Sequence, residues 1–467
     1  MPNKRPNILW YCTDQQRFDT IAALGNEYVR TPTIDQLVKQ GVSFVNTYCQ
    51  SPICTPSRSS FMTGLYPSRA HNTRNGNDTF NHPPLISKMI ADSGYDCGMI
   101  GKFHLLSSGR RTEPRLDDGF SFWKFSHAPR DDWESGHDYA DWVKEQGGDL
   151  DEMRHSPERV RPHLHQTKWS TDMAIDFIDG KRDEDQPWML NINIYDPHPP
   201  FIPPREYAQQ FSAEDMPGPY FRESDLAQQE KLSVCDFQGE IKTPEGHDAY
   251  QAQANYYAMI SQIDDQLARL LKHLDDIGER ENTLIVFTSD HGETLGDHGL
   301  MWKGCRFYEG LVKVPLIITY PKEFKSGLVA DGLVELFDMS ATLLEVAGVD
   351  LPNYFQGQSL MPTLKGDCDG QHIRDAVRCE YFDGLDMNFT GGDGSFATMY
   401  REGDYKISIY HDKNLGELYD LKNDPWEFEN QWDNPAYAEI KNSMILKSFH
   451  NHVIHTTDVG SERIAPM

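Results

Sequence analysis

No stretch of this 467-residue chain approaches the run of about 18 apolar residues that a membrane-crossing helix needs, so nothing reads as a transmembrane span. Positive charge is scarce too: 44 Lys and Arg stand against 72 Asp and Glu, a formal net charge of −28. A surface of that sign repels a polyphosphate backbone, which argues against nucleic acid as a partner. It also means that a site for any small anion must be a locally basic pocket inside an acidic shell. Cysteine is sparse and irregular; the eight residues follow neither a disulfide-framework spacing nor a zinc-ligand spacing. There is no internal repeat and no low-complexity tract. No apolar leader precedes Asn7, so the chain as written reads as cytoplasmic, and a removed signal peptide would make it periplasmic or secreted. Oligomeric state leaves no mark in the sequence.

What is present is a globular composition, with 38% hydrophobic and 11% aromatic residues, enough for one large α/β domain plus an appendage. Nearly continuous apolar runs at 7–13, 95–100, 188–195 and 284–288 predict strands buried on both faces. Between them lie helical patterns, among them 32–40 with Ile34, Leu37 and Val38 inward. Another is 252–274, with Ile260, Ile263, Leu267, Leu270 and Leu271 on one face. Alternation of strand and helix predicts a large, mostly parallel sheet flanked by helices, a catalytic domain over 1–371. Residues 107–165, rich in Arg, Asp, His, Gly and Trp with little periodicity, read as long surface loops suited to substrate recognition. From 372 to 467, short alternating strands and a closing helix predict a C-terminal α+β subdomain packed on the catalytic domain.

Chemistry-bearing residues cluster just past the predicted strand ends: Asp14, Lys102 with His104, His198, and Asp290 with His291. In open parallel sheets ligands bind at that edge. Asp14, Asp290 and Gln15 offer hard oxygen ligands and His291 a nitrogen ligand, a set suited to a divalent cation. Lys102, His104, His198 and Lys303 form a cationic set suited to a tetrahedral anion and to protonating a departing alcohol. Each has an ordinary rival reading, as a helix cap, a surface charge or a packed histidine; four strand ends together weigh against it.

The stretch Cys54-Thr55-Pro56-Ser57-Arg58 reads as a helix entry, with proline at the first helical position and Cys54 beside the positive helix end. Arg58, one turn on, falls on the same face. A lone cysteine there would be a buried core residue. Cys54-x-Pro56-Ser57-Arg58 followed by Thr63-Gly64, however, resembles the signature of type I sulfatases, members of the alkaline-phosphatase-like superfamily. Gly101-Lys102-Phe103-His104 resembles their second signature. The Ser289–Glu293 and Gly296–Gly299 stretches, with Lys303 after them, resemble the metal and lysine segment, and the likeness spans nearly the whole chain.

The resemblance implies a sulfuric ester hydrolase in which Cys54 is oxidised to formylglycine by a formylglycine-generating enzyme. A hydrated aldehyde offers two geminal hydroxyls, one to attack sulfur and one to expel sulfate afterwards. Carried over, Asp14, Gln15, Cys54, Asp290 and His291 would bind a divalent metal, calcium foremost, with Mn2+ or Mg2+ as substitutes. Arg58, Lys102 and His104 would hold formylglycine and sulfate, and His104 would be the base that collapses the sulfated intermediate. His198 and Lys303 would stand at the leaving-group side, one of them the general acid. Asn75, Arg110 and Arg111 are substrate-binding candidates, Asn75 with a turn residue as its rival reading and the arginines with a solvated surface. Asp14-Gln15, where many sulfatases have two aspartates, and Asp290-His291, where they often have Asp-Asn, resemble a branch shared by choline sulfatases, iduronate-type sulfatases and phosphonate monoester hydrolases. The expected substrate is a sulfated oligosaccharide. The alternatives are a phosphonate monoester or phosphodiester hydrolase, a promiscuous arylsulfatase, or a non-catalytic binding protein on the same fold.

Overall fold

A computed structural model describes residues 5–108, 112–130, 132, 136–385 and 394–457. Its large sheet has nine strands: β1 (Asn7–Thr13), β2 (Val42–Tyr48), β3 (Asp96–Gly101), β4 (Phe122–Phe125), β5 (Trp188–Ile194), β6 (Thr283–Ser289), β7 (Lys313–Val314), β8 (Leu316–Thr319) and β9 (Leu328–Glu335). They run in the order β4-β3-β5-β1-β6-β8-β2-β7, with β9 also paired to β2. The five strands from β4 to β6 are mutually parallel. β8 runs against both β6 and β2, and β9 is again parallel to β2.

Alternation explains why the central strands look uniformly apolar. Ile8, Trp10 and Cys12 of β1, with Leu284 and Val286 of β6, join the core on one face. Leu9, Tyr11, Ile285 and Phe287 join the core on the other. With both faces covered, a strand has no polar side to show. Helices Cys54–Thr63, Ile86–Asp92 and Phe337–Ala347 cover the first face, and Pro32–Gln40, Gln166–Asp176 and Ala249–Asp276 the second. The inward positions predicted for the two patterned helices are all buried.

Some expectations are corrected. Residues 107–165 are not loops throughout: β4 and the helix Asp138–Glu145 lie there, the helix burying Tyr139, Ala140 and Val143. The helix at Cys54 starts two residues earlier relative to its proline than the sequence suggests. Cys54 is its first residue and Pro56 its third, and the first turn-closing bond runs from Ser57 N to Ile53 O at 3.3 Å. Proline is tolerated there because N–H groups of the first turn have no helical partner. The apolar run 314–319 is broken at Pro315 into β7 and β8.

A separate antiparallel sheet consists of β10 (Ala376–Phe382), β11 (Phe396–Glu402), β12 (Tyr405–Tyr410) and β13 (Leu415–Asp420), in that order. The helix Ala438–Thr456 packs on it through Met444. Lys406 of β12 ties this sheet to the larger unit, with Nζ 2.7 Å from Glu309 and 2.8 Å from the Phe307 carbonyl.

Candidate active site

Strands β1, β3, β5 and β6 end on the same edge, and each delivers part of one cluster. The helix that starts at Cys54 points its N-terminus into that cluster. All ten of its residues are buried, so it is held by packing on every side. It ends at Gly64, whose φ of +72° is a left-handed conformation and whose missing side chain leaves room for the Phe355 ring. Its beginning is held by Asn75, whose side-chain oxygen accepts the Thr55 N–H at 2.9 Å.

Cys54 Sγ is ringed by polar atoms: Lys303 Nζ at 2.9 Å, His291 Nε2 at 3.2 Å, Lys102 Nζ at 3.5 Å and Asp14 Oδ1 at 3.7 Å. Burial and the Asp14 carboxylate push the Cys54 thiol up, and Lys102, Lys303 and His291 outweigh them, holding it well below the usual thiol range. Beneath it, Arg58 is 1% exposed and spans both aspartates, with Nε 2.8 Å from Asp290 and Nη2 3.2 Å from Asp14. Its Nη1 donates to the Lys102 carbonyl at 2.5 Å and to Asn193 Oδ1 at 3.1 Å. Only a planar fork of five donors makes that set of bonds. Lys102 pairs with Asp14 at 2.6 Å, and burial, which disfavours the Asp14 carboxylate, is overcome by Lys102, His198, Arg58 and Lys303.

Ligand atoms of Asp14, Cys54, Asp290 and His291 all lie within 4.8 Å of one another, and all four residues are buried. The donor set fits a hard divalent cation. Asp290 Oδ2 faces Arg58, while its Oδ1 accepts the backbone N–H groups of Gln15 and His291 at 3.0 and 2.9 Å. His291 Nδ1 donates to the Gly292 carbonyl at 2.8 Å, which leaves Nε2 as the ring nitrogen aimed at Cys54. Gln15 Oε1 lies 2.7 Å from Lys303 Nζ, and its amide nitrogen donates to the buried Glu293.

His198 stands on the same edge, its Nδ1 donating to the Pro199 carbonyl at 2.7 Å. Burial, then Lys303 and Lys102, hold its imidazole well below the usual value, so Nε2 carries no proton. His104 has a positive φ of +57°, and its ring packs edge-on against His127 at 4.8 Å.

The sulfatase family model matches residues 6–349 of this chain. The chain belongs to the sulfatase family. A second model, that of the N-sulphoglucosamine sulphohydrolase C-terminal region, matches residues 296–452. An arylsulfatase of Clostridium perfringens is 28% identical to this sulfatase, over 93% of this chain and 92% of its own. An N-acetylglucosamine-6-O-sulfatase of Bacteroides thetaiotaomicron is also 28% identical, over 95% and 85%. Among solved structures, the phosphonate monoester hydrolase of Agrobacterium radiobacter superposes with a TM-score of 0.81 at 25% identity, covering 97% of this chain and 96% of that one.

The structure of this sulfatase brings together Asp14, Gln15, Cys54, Arg58, Lys102, His198, Asp290, His291 and Lys303, with His104 one residue beyond Phe103. Asn75 sits beside the helix start as a cap. Arg110 and Arg111 lie outside the described residues. Of the other loop arginines, Arg115, Arg154 and Arg161 pair locally with Asp118, Asp151 and Glu152. Sequence reasoning missed Asn193, which props Arg58, and Glu293, which orients Gln15. Asn193 was findable as one of two asparagines, with Asn191, in the apolar run of β5.

Proposed function

We propose that this sulfatase cleaves a sulfate monoester of a carbohydrate through a formylglycine made from Cys54, with a divalent cation held by Asp14, Gln15, Asp290 and His291. The observation that carries the reading is the environment of Cys54 Sγ: first residue of a buried helix, with two lysines within 3.5 Å and two carboxylates bridged by Arg58 below. Sγ marks where the oxygen of the modified side chain would stand. Formylglycine supplies a hydrated aldehyde whose hydroxyls serve as nucleophile and exit route, and the cation, calcium foremost, supplies charge neutralisation when bound.

The remaining work falls to the chain's own groups. Arg58 keeps Asp14 and Asp290 fixed and charged. Lys102 and Lys303 neutralise the sulfate oxygens on either side of position 54. Lys303 can hand a proton to the departing alcohol, and His198, neutral and with a free Nε2, accepts a hydrogen bond from it. His104 takes the proton in the second half-reaction. Carbohydrate as the leaving group is supported by the relative named for an N-acetylglucosamine sulfate ester. A formylglycine-generating enzyme is the maturation partner this reading requires.

Likeness to a phosphonate monoester hydrolase, together with Gln15 and His291 at the cation site, favours a second reading on the same fold: hydrolysis of phosphonate or phosphate esters. Lys102 with His104 favours sulfate. The deciding experiment is co-expression with a formylglycine-generating enzyme and the mass of the peptide holding Cys54. Sulfate release from an N-acetylglucosamine sulfate ester should rise with the converted fraction and vanish in Cys54→Ala. Activity from unconverted Cys54, or on phosphonates alone, would sink the proposal.

A further inference from the structure

The turn after β3 is an unusual piece of backbone. Gly101 has a φ of +100° and His104 one of +57°, the second a left-handed conformation costly for a residue with a side chain. Three successive N–H groups of that turn, those of His104, Leu105 and Leu106, converge on one carboxylate. Glu113 accepts them at 2.6, 2.6 and 2.7 Å. Successive N–H groups around a left-handed residue form a concave nest for an acceptor, and here the acceptor is built into the chain as a carboxyl that burial pushes up to about 7 against the pull of those N–H groups. Glu113 is 3% exposed, so the bonds are shielded from water. The opposite side of the turn is fixed as well: Asn72 donates to the Leu105 carbonyl at 2.9 Å, and Ser107 N to the Asn77 carbonyl at 2.8 Å. The product of this bracing is a buried His104 ring close enough to Cys54 and Lys102 for both to act on it, with Nδ1 unpartnered.

We propose that Glu113 is a positioning residue for the reaction: its carboxylate holds His104 in the left-handed conformation that aims the imidazole at position 54. The inference rests on the reading of His104 as the group that takes a proton in the second half-reaction. Glu113 belongs to the segment 107–165, so a segment expected to read substrate also braces the catalytic turn.

The test is Glu113→Gln, which keeps the shape but turns a two-oxygen acceptor into an amide whose NH2 faces the N–H donors. With the formylglycine-converted enzyme and an aryl sulfate, kcat should fall about 10- to 100-fold, the size seen when a ligand's support is lost, with KM falling alongside it so that kcat/KM stays within about twofold. The first-turnover burst of phenol should remain, because only the later half-reaction uses His104. Glu113→Asp, which keeps the charge on a shorter arm, should recover part of the loss. A crystal structure of unconverted Glu113→Gln should show His104 displaced from positive φ. A wild-type kcat in Glu113→Gln, or His104 unmoved in the crystal, overturns the proposal. Should Glu113→Gln fail to fold, a wild-type kcat in Glu113→Asp overturns it equally. If converted wild-type protein shows no turnover at all, the sulfatase mechanism fails, and the crystal structure still decides the role of Glu113.

Discussion

Lys303 donates from Nζ to two atoms at once, Cys54 Sγ at 2.9 Å and Gln15 Oε1 at 2.7 Å. One ammonium therefore touches both position 54, the nucleophile of the proposed reaction, and Gln15 of the proposed cation site. Removing it should cost most where the leaving group is poor. Lys303→Ala should lower kcat by about 10²- to 10⁴-fold on a sugar sulfate, and much less on a nitrophenyl sulfate whose phenoxide needs no proton. An equal loss on both substrates would assign Lys303 to sulfate binding alone.

Gln15 is held from the other side by Glu293, a buried carboxylate that also accepts from Leu295 N at 3.0 Å. Gln15→Asp places a second carboxylate against it and removes the donor. Without divalent cation the variant should be destabilised by about 1–3 kcal/mol. Added calcium should raise its melting temperature more than it raises that of the wild type. Thermal unfolding with and without chelator reads both effects; identical calcium shifts would place the Gln15 side chain outside the cation's reach.

Arg58 compensates two buried aspartates, so its loss leaves charge without a partner. Arg58→Ala should destabilise the cation-free protein by about 3–5 kcal/mol. Arg58→Lys, which cannot bridge Asp14, Asp290, Asn193 and the Lys102 carbonyl together, should recover little of it. Denaturant midpoints measure the difference.

A pH effect belongs to Asp264, far along the chain from the catalytic residues. Its carboxylate accepts Thr33 N and Ile34 N at the start of helix Pro32–Gln40, at 3.0 and 2.8 Å. Burial raises its carboxyl from 3.8 to about 6, more than those N–H groups lower it. A folded-state value above the unfolded one means that the folded protein holds the proton more tightly. The contribution is complete below about 4 and is lost as pH rises through about 6, roughly 3 kcal/mol in all. Asp264→Asn should flatten the stability profile across that window. An unchanged slope would show that Asp264 does not titrate there.

Gly64→Ala tests the end of the cysteine helix. A side chain at a φ of +72° is strained, and its methyl would meet the Phe355 ring. A loss above about 1 kcal/mol is expected from urea unfolding.

How much of this was legible in the sequence depends on what each residue must do. β1, β5 and β6 were readable because both faces are covered, which leaves long apolar runs, and the groups at their ends followed from them. β2 and β9 were not anticipated: Val42–Tyr48 carries Ser43, Asn46 and Thr47, and Leu328–Glu335 carries Asp331 and Gly332, which blur any apolar run. Cys54, Arg58, Lys102 and His291 stand in motifs with fixed spacing, so their convergence could be expected. Glu113 carries no such signal. Its partners are backbone N–H groups, and backbone donors are the same at every non-proline position, so only the path of the turn reveals it.

The helix Cys54–Thr63 exposes none of its residues, and Cys54 itself is 1% accessible. A modifying enzyme that must grasp Cys54 and its neighbours finds no handle on the folded molecule. Any oxidation of that thiol therefore has to finish while the segment is still an extended strand of nascent chain. On the formylglycine reading maturation becomes a race, and each chain that collapses first is sealed with an unconverted Cys54 at its centre. On that reading the yield of converted enzyme follows how slowly this one helix docks, not how stable it is once docked.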